Sequence, residues 1–384
     1  DDICTIKGRI GYRGYTKQDI VGKGEGAISL SPSNIKDNKI DYKNCTYISW
    51  FKYDESPEIQ IFNGDIIYCK TASIGKTALI DDLSEKATIN PQFVVLKQIK
   101  CLNKYLYYFL VSEQFIVQAK EIIGGTAIPT LSQANLGNLR IPLPSPPEQQ
   151  RIVALLDEAF ASIAKAKANT EQNLNNAREL FESYLQSVFA SKGEGWEEKT
   201  LGEIGKVSMC KRIYKNQTAS NGDIPFYKIG TFGKEPDAFI PYNIYNEYRE
   251  KYSFPKKGAI LISASGTIGR RVKYDGEPAY FQDSNIMWLD NDEKQVLNDY
   301  LFYLYGACKW NSTKGATISR LYYDNFKSIE IAYPKSRTEQ QSIVQKLDTI
   351  SSETKKFDSI YQQKLNDLEE LKKSILQKAF KGDL

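Results

Sequence analysis

The chain has 384 residues and a formal net charge of +4, so it is long enough for two or three domains that each bury a core. It contains no histidine, which removes the commonest general base and metal ligand and disfavours most hydrolase mechanisms. The six cysteines form no C-x-x-C pair, and no apolar run approaches the roughly 18 residues that span a bilayer, so we expect a soluble cytoplasmic protein with reduced thiols.

The first domain is predicted over residues 1–144. Residues 64–76 are typical of a strand that enters a glycine-containing turn and ends in a cation. Residues 93–96, with Leu139 and Ile141, suggest further strands, and residues 103–115 have helical spacing. The pattern therefore predicts a mixed α and β domain.

A long helix is predicted next, over residues 145–192. Ser145 and Glu148 fit the S-x-x-E capping box, and prolines are tolerated in the opening turn. Counting in sevens gives an apolar stripe that we expect to face another helix. Its predicted contact residues are Ile152, Leu156, Ile163 and Leu180.

A second domain follows over residues 193–335, after a glycine-rich stop and Trp196, and a second long helix follows over residues 336–384. Residues 286–289, Ile329 and Ile331 suggest strands in this domain, and residues 298–309 suggest a helix. Ser336 and Glu339 repeat the capping signal of the first helix. The predicted contact residues of the second helix are Ile343, Leu347, Phe357, Tyr361, Leu368 and Ile375.

The two halves of the chain are repeats of each other. Residues 148–153 recur as 339–344, and the agreement continues without a gap through both helices at an offset of 191 residues. Residues 64–76 recur as 258–270, and residues 125–131 recur as 315–321. We therefore predict an α+β chain with an internal pseudo-twofold repeat, in which two mixed domains are separated by two long helices that form an intramolecular antiparallel coiled coil.

No catalytic constellation or metal site is predicted. Gly75 and Lys76 look like the end of a P-loop, but the glycine that the motif requires five residues earlier is replaced by Lys70. Residues 90–93 resemble the Asn-Pro-Pro-Tyr/Phe box of amino-methyltransferases but lack its second proline. Neither nucleotide binding nor autonomous methyl transfer is therefore expected.

Glycine turns that carry cations, hydroxyls and tyrosines suit phosphate contacts and hydrogen bonds to base edges. Any one such residue is more often a solvated surface charge or a turn residue, so the clusters carry more weight than their members. The predicted DNA-binding residues are Arg9, Tyr12, Arg13, Tyr15, Lys17, Lys70, Ser73 and Lys76 in the first domain, and Lys211, Arg212, Lys215, Lys228, Ser265, Thr267, Arg270, Arg271, Arg320 and Tyr322 in the second.

The helix start at residues 144–153, its echo at 334–344, the ending at 376–384 and the duplicated Ser/Thr-Ile-Gly turn resemble the specificity subunit of Type I restriction-modification enzymes. The resemblance covers essentially the whole chain. It implies two target recognition domains that each contact one half of a split, asymmetric site in double-stranded DNA, with the paired helices as a ruler between them. One departure is that the first domain lacks a counterpart of residues 196–202, so we expect that the chain was trimmed or that this segment was not included.

The resemblance also implies partners. Two modification subunits would dock on the helices, carry S-adenosylmethionine and methylate adenine, and restriction subunits would supply the ATP-driven, Mg-dependent motor and nuclease. The chain itself would bind no cofactor and perform no catalysis.

Two other classes of function stay open at this point. The chain could be the recognition portion of a fused methyltransferase-nuclease, although a helix that ends near Leu384 favours a natural terminus. It could also be a purely structural coiled-coil protein with globular ends. A methyl-transfer assay on the isolated chain tests the first alternative, and charge reversal of Lys76 and Arg270 tests the second.

Overall fold

The computed structural model describes residues 2–123, 130–308, 310 and 320–384. The chain forms two compact units, of which the first contains Asp1–Glu171 with Gln362–Leu384 and the second contains Gln172–Tyr361. We call residues 2–144 head 1 and residues 191–335 head 2. The two longest helices are α5 (Pro146–Ala190) and α10 (Arg337–Lys381), and each contributes residues to both units.

Head 1 contains short strands and four helices among its described residues. The strands are β1 (Thr5–Gly8), β2 (Ile20–Val21), β3 (Gly26–Leu30), β4 (Ile35–Lys36), β5 (Lys39–Ile40), β6 (Thr46–Ser49), β7 (Gln60–Ile61), β8 (Ile66–Cys69), β9 (Thr77–Leu79), β10 (Ala87–Ile89) and β11 (Phe93–Lys97). The helices are α1 (Trp50–Asp54), α2 (Asn103–Leu110), α3 (Glu113–Ile123) and α4 (Gln133–Gly137).

Head 2 also consists of short strands and helices. Its strands are β12 (Trp196–Thr200), β13 (Lys206–Ser208), β14 (Ile224–Tyr227), β15 (Phe239–Ile240), β16 (Ile260–Ser263), β17 (Arg271–Lys273), β18 (Tyr280–Phe281), β19 (Ile286–Asp290) and β20 (Glu330–Pro334). Its helices are α6 (Leu201–Ile204), α7 (Tyr242–Lys251), α8 (Asn298–Ala307) and α9 (Tyr323–Lys327). The predicted mixture of helix and strand is confirmed in both heads.

Each head is built on one antiparallel sheet, which we call the framework sheet. Its strand order is β1-β11-β8-β9 in head 1 and β13-β19-β16-β17 in head 2, so the repeat seen in the sequence is a repeat of this sheet. In β8, Ile66 and Tyr68 pack in the core that contains the helices, whereas Ile67 and Cys69 pack in a second core. Both faces are therefore buried, which explains why β8 is a continuous apolar run.

A second lobe, which we call the variable lobe, covers the other face of each framework sheet. In head 1 it is a five-stranded sheet, β2-β6-β3-β10-β7, with β3 and β10 parallel. In head 2 it is a three-stranded sheet, β15-β14-β18, with β14 and β18 parallel, and α7 contributes Tyr245 to its core. The two heads thus share a framework and differ in the lobe that the framework carries.

A buried glutamine fixes each head to the start of a long helix. Gln149 on α5 accepts a hydrogen bond from the backbone N–H of Leu102 at 2.9 Å and donates one to the carbonyl of Pro144 at 2.8 Å. Gln340 on α10 accepts from the N–H of Leu297 at 2.9 Å and donates to the carbonyls of Pro334 and Gln295, both at 2.8 Å. These bonds give a structural reason for the repeated Glu-Gln-Gln motif.

A tyrosine-aspartate bond reinforces each junction two turns along the helix. The hydroxyl of Tyr108 donates to Asp157 and the hydroxyl of Tyr303 donates to Asp348, each at 2.5 Å. Burial, and then the bond to the carboxylate, raise the pKa of both tyrosines. Asp157 also pairs with Lys104 at 2.8 Å.

The two long helices are antiparallel, as predicted. In the first unit Arg151 donates to the carbonyl of Leu384 and Lys167 pairs with Glu369, so the residue number rises on one helix as it falls on the other. In the second unit Arg178 of α5 pairs with Asp358 of α10. No helix among the described residues is both long enough and apolar enough to cross a membrane.

Counting in sevens from Ile152 and Ile343 predicts two sets of contact residues on each helix. The set that contains Ile152 and Ile343 is confirmed at its start, where Ile152 is buried and Ile343 is half-buried, but it is wrong further along both helices. Leu180 is 71% exposed and Phe357 is 46% exposed, whereas their neighbours Phe181 and Asp358 are only partly exposed. The other set holds, since Leu156, Ile163 and Leu347 are buried and Tyr361, Leu368 and Ile375 are half-buried. The apolar pairs Ile152-Val153 and Ile343-Val344 made either residue a plausible start of the count, and the packed set begins at Val153 and Val344.

The capping boxes form only in part. The Oγ of Ser336 accepts the N–H of Glu339 at 3.3 Å, but the carboxylate of Glu339 accepts from the indole of Trp196 at 3.1 Å instead of turning back. In the first copy Glu148 is held by Arg151 at 2.7 Å. The helix starts are therefore as predicted, but the reciprocal arm of the box is used for other contacts.

Candidate nucleic-acid interface

The duplicated turn is a hairpin loop between β8 and β9 in head 1 and between β16 and β17 in head 2. Ala72 and Gly266 occupy equivalent positions with φ of 62° and 66°, and Gly75 and Gly269 follow with φ of 94° and 86°. A left-handed conformation costs a residue with a β-carbon about 1–2 kcal/mol. Because Ala72 adopts it nevertheless, the rest of the loop must hold the backbone in this conformation. The same backbone is thus built from two different sequences.

A second segment pairs with each loop. Thr71 bridges to Thr130 in head 1, and Ser265 bridges to Arg320 in head 2. Leu131 donates its N–H to the carbonyl of Lys70 at 2.8 Å, and the corresponding bond in head 2 has the same length. The predicted repeat at 125–131 and 315–321 is described only from residues 130 and 320 onward, and its earlier residues lie outside the described part of the chain.

The cations that end the two loops brace each head internally. The ammonium of Lys76 donates to the carbonyl of Pro32 at 2.9 Å. The guanidinium of Arg270 donates to the carbonyl of Phe232 at 3.0 Å. In each head the acceptor lies outside the framework sheet, on the side of the variable lobe. Both cations therefore have a structural role, and DNA contact by them stays a prediction.

In head 1 the structure brings four of the predicted residues together. Arg9 donates to the carbonyls of Arg13 and Ile89 and lies over the ring of Tyr15 at 5.3 Å. Burial lowers the pKa of Arg9 from its ordinary value. Arg13 pairs with Glu58 at 3.5 Å and lies over the ring of Tyr12, which is 82% exposed. Tyr12 is therefore the exposed member of this cluster, in which the buried Nε of Arg9 has no hydrogen-bond partner among the described residues.

The remaining predicted residues of head 1 lie elsewhere. Lys17 is exposed and has no ion-pair partner among the residues that the structure describes. Lys70 and Ser73 are half-buried in the hairpin loop. Lys17 is thus the predicted cation of head 1 whose charge is most available to a phosphate.

In head 2 the first predicted group lies in the loop after β13. Arg212 pairs with Asp283 at 2.8 Å, and Lys211 lies over the ring of Tyr252 at 4.9 Å. Lys215 is exposed and has no ion-pair partner within the described ranges. Lys228, from the loop after β14, pairs with Asp237 at 2.9 Å.

The second group in head 2 lies around the hairpin loop. The hydroxyl of Ser265 donates to Asn285 at 2.8 Å, and Arg320 reaches the carbonyl of Ser284 at 3.4 Å. The carbonyl of Thr267 accepts from Ser263, so this residue stabilises the loop. Tyr322, which is 52% exposed, lies two residues beyond the bridge at Arg320.

Arg271 is placed differently from the rest of that group. Its guanidinium lies over the ring of Phe302 at 4.8 Å, beside Gly306 of α8. Burial lowers its pKa from the ordinary value. Arg271 therefore packs between the framework sheet and α8, and its contact with DNA stays a prediction.

Exposed aromatic residues are the candidates that the sequence reasoning missed. Phe51 is 72% exposed, Tyr214 is 60% exposed and Tyr242 is 56% exposed, and all three belong to or adjoin a variable lobe. Exposed aromatic side chains suit contacts on binding surfaces, and the two tyrosines also offer a hydroxyl for hydrogen bonds. The usable signal was their position next to cations, as in Tyr214-Lys215 and Phe51-Lys52.

Both halves of the chain are similar to known proteins. A family model described as the Type I restriction modification DNA specificity domain matches residues 34–176 and 193–370. A putative type I restriction enzyme specificity subunit of Haemophilus influenzae is 45% identical over 268 residues, which cover 68% of this chain and 69% of that protein. The second matched range includes the framework sheet and the variable lobe of head 2, whereas the first begins after β3 and includes the remaining strands of head 1.

Two solved structures have a similar fold. One, described as the structural basis of complex assembly and conformational transition of the type I R-M system, has a TM-score of 0.76 and 20% identity, and the match covers 94% of this chain and 93% of that chain. The other is the HsdS subunit of Thermoanaerobacter tengcongensis, with a TM-score of 0.55, 20% identity, and coverage of 100% of this chain and 95% of that chain. At this level of identity the likeness concerns the fold.

Proposed function

Because this chain belongs to the family of type I restriction-modification specificity subunits, we propose that it is the DNA-reading subunit of such a complex. Head 1 reads one half of a bipartite, asymmetric site in double-stranded DNA, and head 2 reads the other half. The coiled coil of α5 and α10 sets the spacing between the halves. Joining two weak readers rigidly makes the second binding event effectively intramolecular, which raises selectivity.

One observation carries this proposal: the two framework sheets have the same strand order, whereas the variable lobes have different sheets. A shared framework presents both lobes in the same way to a duplex. Different lobes present different side chains to the base edges, as expected when the two half-sites differ in sequence. We assign the contacts to the exposed residues of and around these lobes, including Tyr12, Lys17, Tyr214 and Lys215.

The chemistry belongs to other subunits under this proposal. Two modification subunits dock on α5 and α10, carry S-adenosylmethionine and methylate adenine in the site. Restriction subunits add an ATP-dependent motor and a Mg-dependent nuclease. The chain contributes recognition and no catalytic residue, and it acts inside the cell where the DNA is.

Adenine methylation mapping in cells that express this chain with its modification subunit tests the proposal. We expect one split, asymmetric methylated motif. Replacing residues 197–335 by the corresponding segment of another specificity subunit changes only one half of the motif. The matched exchange of residues 2–144 changes only the other half.

The outcomes separate the competing functions. If the complex assembles but no new methylation is found, the reading role is refuted and a structural role is favoured. If the isolated chain transfers methyl groups to DNA, it is an enzyme. If either exchange alters both halves of the motif, the assignment of one half-site to each head is wrong.

A further inference from the structure

Two ion pairs join α5 to α10, and both helices lie entirely within the described residues. In the first unit Lys167 Nζ lies 2.8 Å from Glu369 Oε1. In the second unit the guanidinium of Arg178 makes two bonds to Asp358, Nε to Oδ1 at 2.6 Å and Nη2 to Oδ2 at 2.7 Å. The side-chain bonds raise the pKa of each cation and lower that of each carboxylate, so all four groups stay charged at neutral pH.

The two pairs occupy the same two positions of the repeat. The offset of 191 residues that aligns the helices places Lys167 on Asp358 and Arg178 on Glu369. Each unit therefore forms one ion pair between these positions, but the signs are reversed from one unit to the other. As a result α5 carries both cations and α10 carries both anions.

The aromatic contact that each helix end makes with a head is the same in both units. In the first unit Phe380 of α10 packs against Tyr105 at 5.3 Å, measured between ring centroids. In the second unit Phe189 of α5, the repeat equivalent of Phe380, packs against Tyr300 at the same distance. Tyr105 and Tyr300 each donate a hydroxyl hydrogen bond to a backbone carbonyl just before a long helix. Apolar packing therefore gives each head little reason to prefer one helix end over the other.

We propose that these four charges are a pairing code by which α5 accepts α10 and rejects a second copy of α5, and by which α10 rejects a second copy of itself. If two α5 helices paired in the observed register, Lys167 of each copy would face Arg178 of the other. If two α10 helices paired, Asp358 would face Glu369 twice. Like charges in contact oppose pairing, whereas the observed combination has two attractive contacts.

Selective pairing of the helices matters in a chain whose two halves are repeats. Without it, two copies of a head with its following helix could associate and carry two identical variable lobes. With it, the stable product always combines one lobe of each kind. The inference concerns helix pairing only, so it stands or falls independently of any role in DNA reading.

A nicked form of the full chain tests the code. A protease site placed in the exposed linker at residues 191–195 is cut after the protein has folded, which leaves an α5 piece and an α10 piece held together without a covalent link. The nicked protein is unfolded in denaturant and refolded by dilution, and native mass spectrometry counts the products. For the natural sequence we expect the mixed product and very little of either self-paired product.

Two variants provide matched comparisons. R178E/D358K keeps both ion pairs of the natural arrangement but places one cation and one anion on each helix, so self-pairing becomes attractive. Without selective pairing, the α5 pair, the mixed product and the α10 pair form in a ratio of roughly one to two to one. We expect the products of this variant to shift toward that ratio. Adding K167E/E369K reverses all four charges, restores the code with opposite signs, and should return the mixed product alone.

Two results would overturn the proposal. One is a distribution for R178E/D358K that equals that of the natural sequence. The other is measured on the uncut chain, so that the test remains valid if the pieces refold poorly. In that chain R178E alone should lower the urea midpoint, and R178E/D358K should restore it. If the double variant does not restore the midpoint, the ion pair contributes nothing to helix pairing.

Discussion

The buried glutamine at each helix start gives a prediction whose size follows from its hydrogen bonds. Replacing Gln340 by Met keeps the volume but leaves the Leu297 N–H and the Pro334 and Gln295 carbonyls without their partner. Each orphaned group costs about 1 kcal/mol at the lower end of the usual range. We expect Gln340→Met to destabilise the second unit by about 3 kcal/mol on this basis.

The repeat supplies a graded comparison. Gln149 makes two such bonds instead of three, so Gln149→Met should destabilise the first unit by about 2 kcal/mol. The next residue along each helix, Gln150 or Gln341, is exposed, and its replacement by Met should change stability by less than about 0.5 kcal/mol. The four variants differ by one side chain each and so share every other feature of the junction.

Hydrogen exchange measured by mass spectrometry is the assay, because it reports on each unit separately. Gln340→Met should accelerate exchange at Leu297 and through α8 while leaving α2 unchanged, and Gln149→Met should do the reverse. Urea unfolding followed by tryptophan fluorescence adds a global value, since Trp196 and Trp288 lie in the second unit and Trp50 in the first. Equal costs for Gln340→Met and Gln341→Met would refute the account of the junction.

Further predictions concern the candidate interface and the ion pairs. Lys76→Met and Arg270→Met should lower the urea midpoint, because each removes a hydrogen bond to a backbone carbonyl. Lys17→Ala and Lys215→Ala should leave the urea midpoint unchanged, and each should reduce the slope of log affinity against log salt by about 0.9 in anisotropy titrations; an unchanged slope would remove these two lysines from the interface. The bond to Lys167 lowers the pKa of Glu369 in the folded chain. The stabilisation of the fold by this ion pair is therefore complete above the ordinary carboxyl pKa and is lost as the pH falls through the lowered pKa of the folded chain. The stability deficit of Glu369→Gln should therefore be full at neutral pH and should vanish in strong acid, and a deficit that is independent of pH would contradict the ion pair.

The parts of the fold that sequence could predict are those that repeat without gaps. Ungapped agreement predicted two continuous helices and the repeated capping signal predicted where they begin, since an insertion in a helix would turn its apolar face away from its partner. The residues of each long helix that face the other helix were harder to predict. Where two apolar residues are adjacent, as at Ile152 and Val153, a single helix sequence does not say which one faces the partner, and the count began one residue early.

The site was less predictable because its residues depend on contacts over long separations. Nothing local to Lys76 indicates that its ammonium is bonded to the carbonyl of Pro32, and the same holds for Arg270 and Phe232. A turn that ends in a cation was correctly identified in both heads. Whether that cation faces solvent or braces the fold is decided by the variable lobe, whose sequence has no counterpart in the other head.

The way head 1 closes its core has a consequence for how the protein is made on the ribosome. Leu376, Ala379 and Phe380 of α10 are part of the core of head 1, although more than 200 residues of chain separate them from its sheet. All residues of the second unit are translated before them. The usual order, in which the N-terminal domain is finished first, is therefore inverted here. Until α10 is translated, Tyr105 and Phe109 lack their contacts with Phe380, so head 1 completes its core only at the end of synthesis.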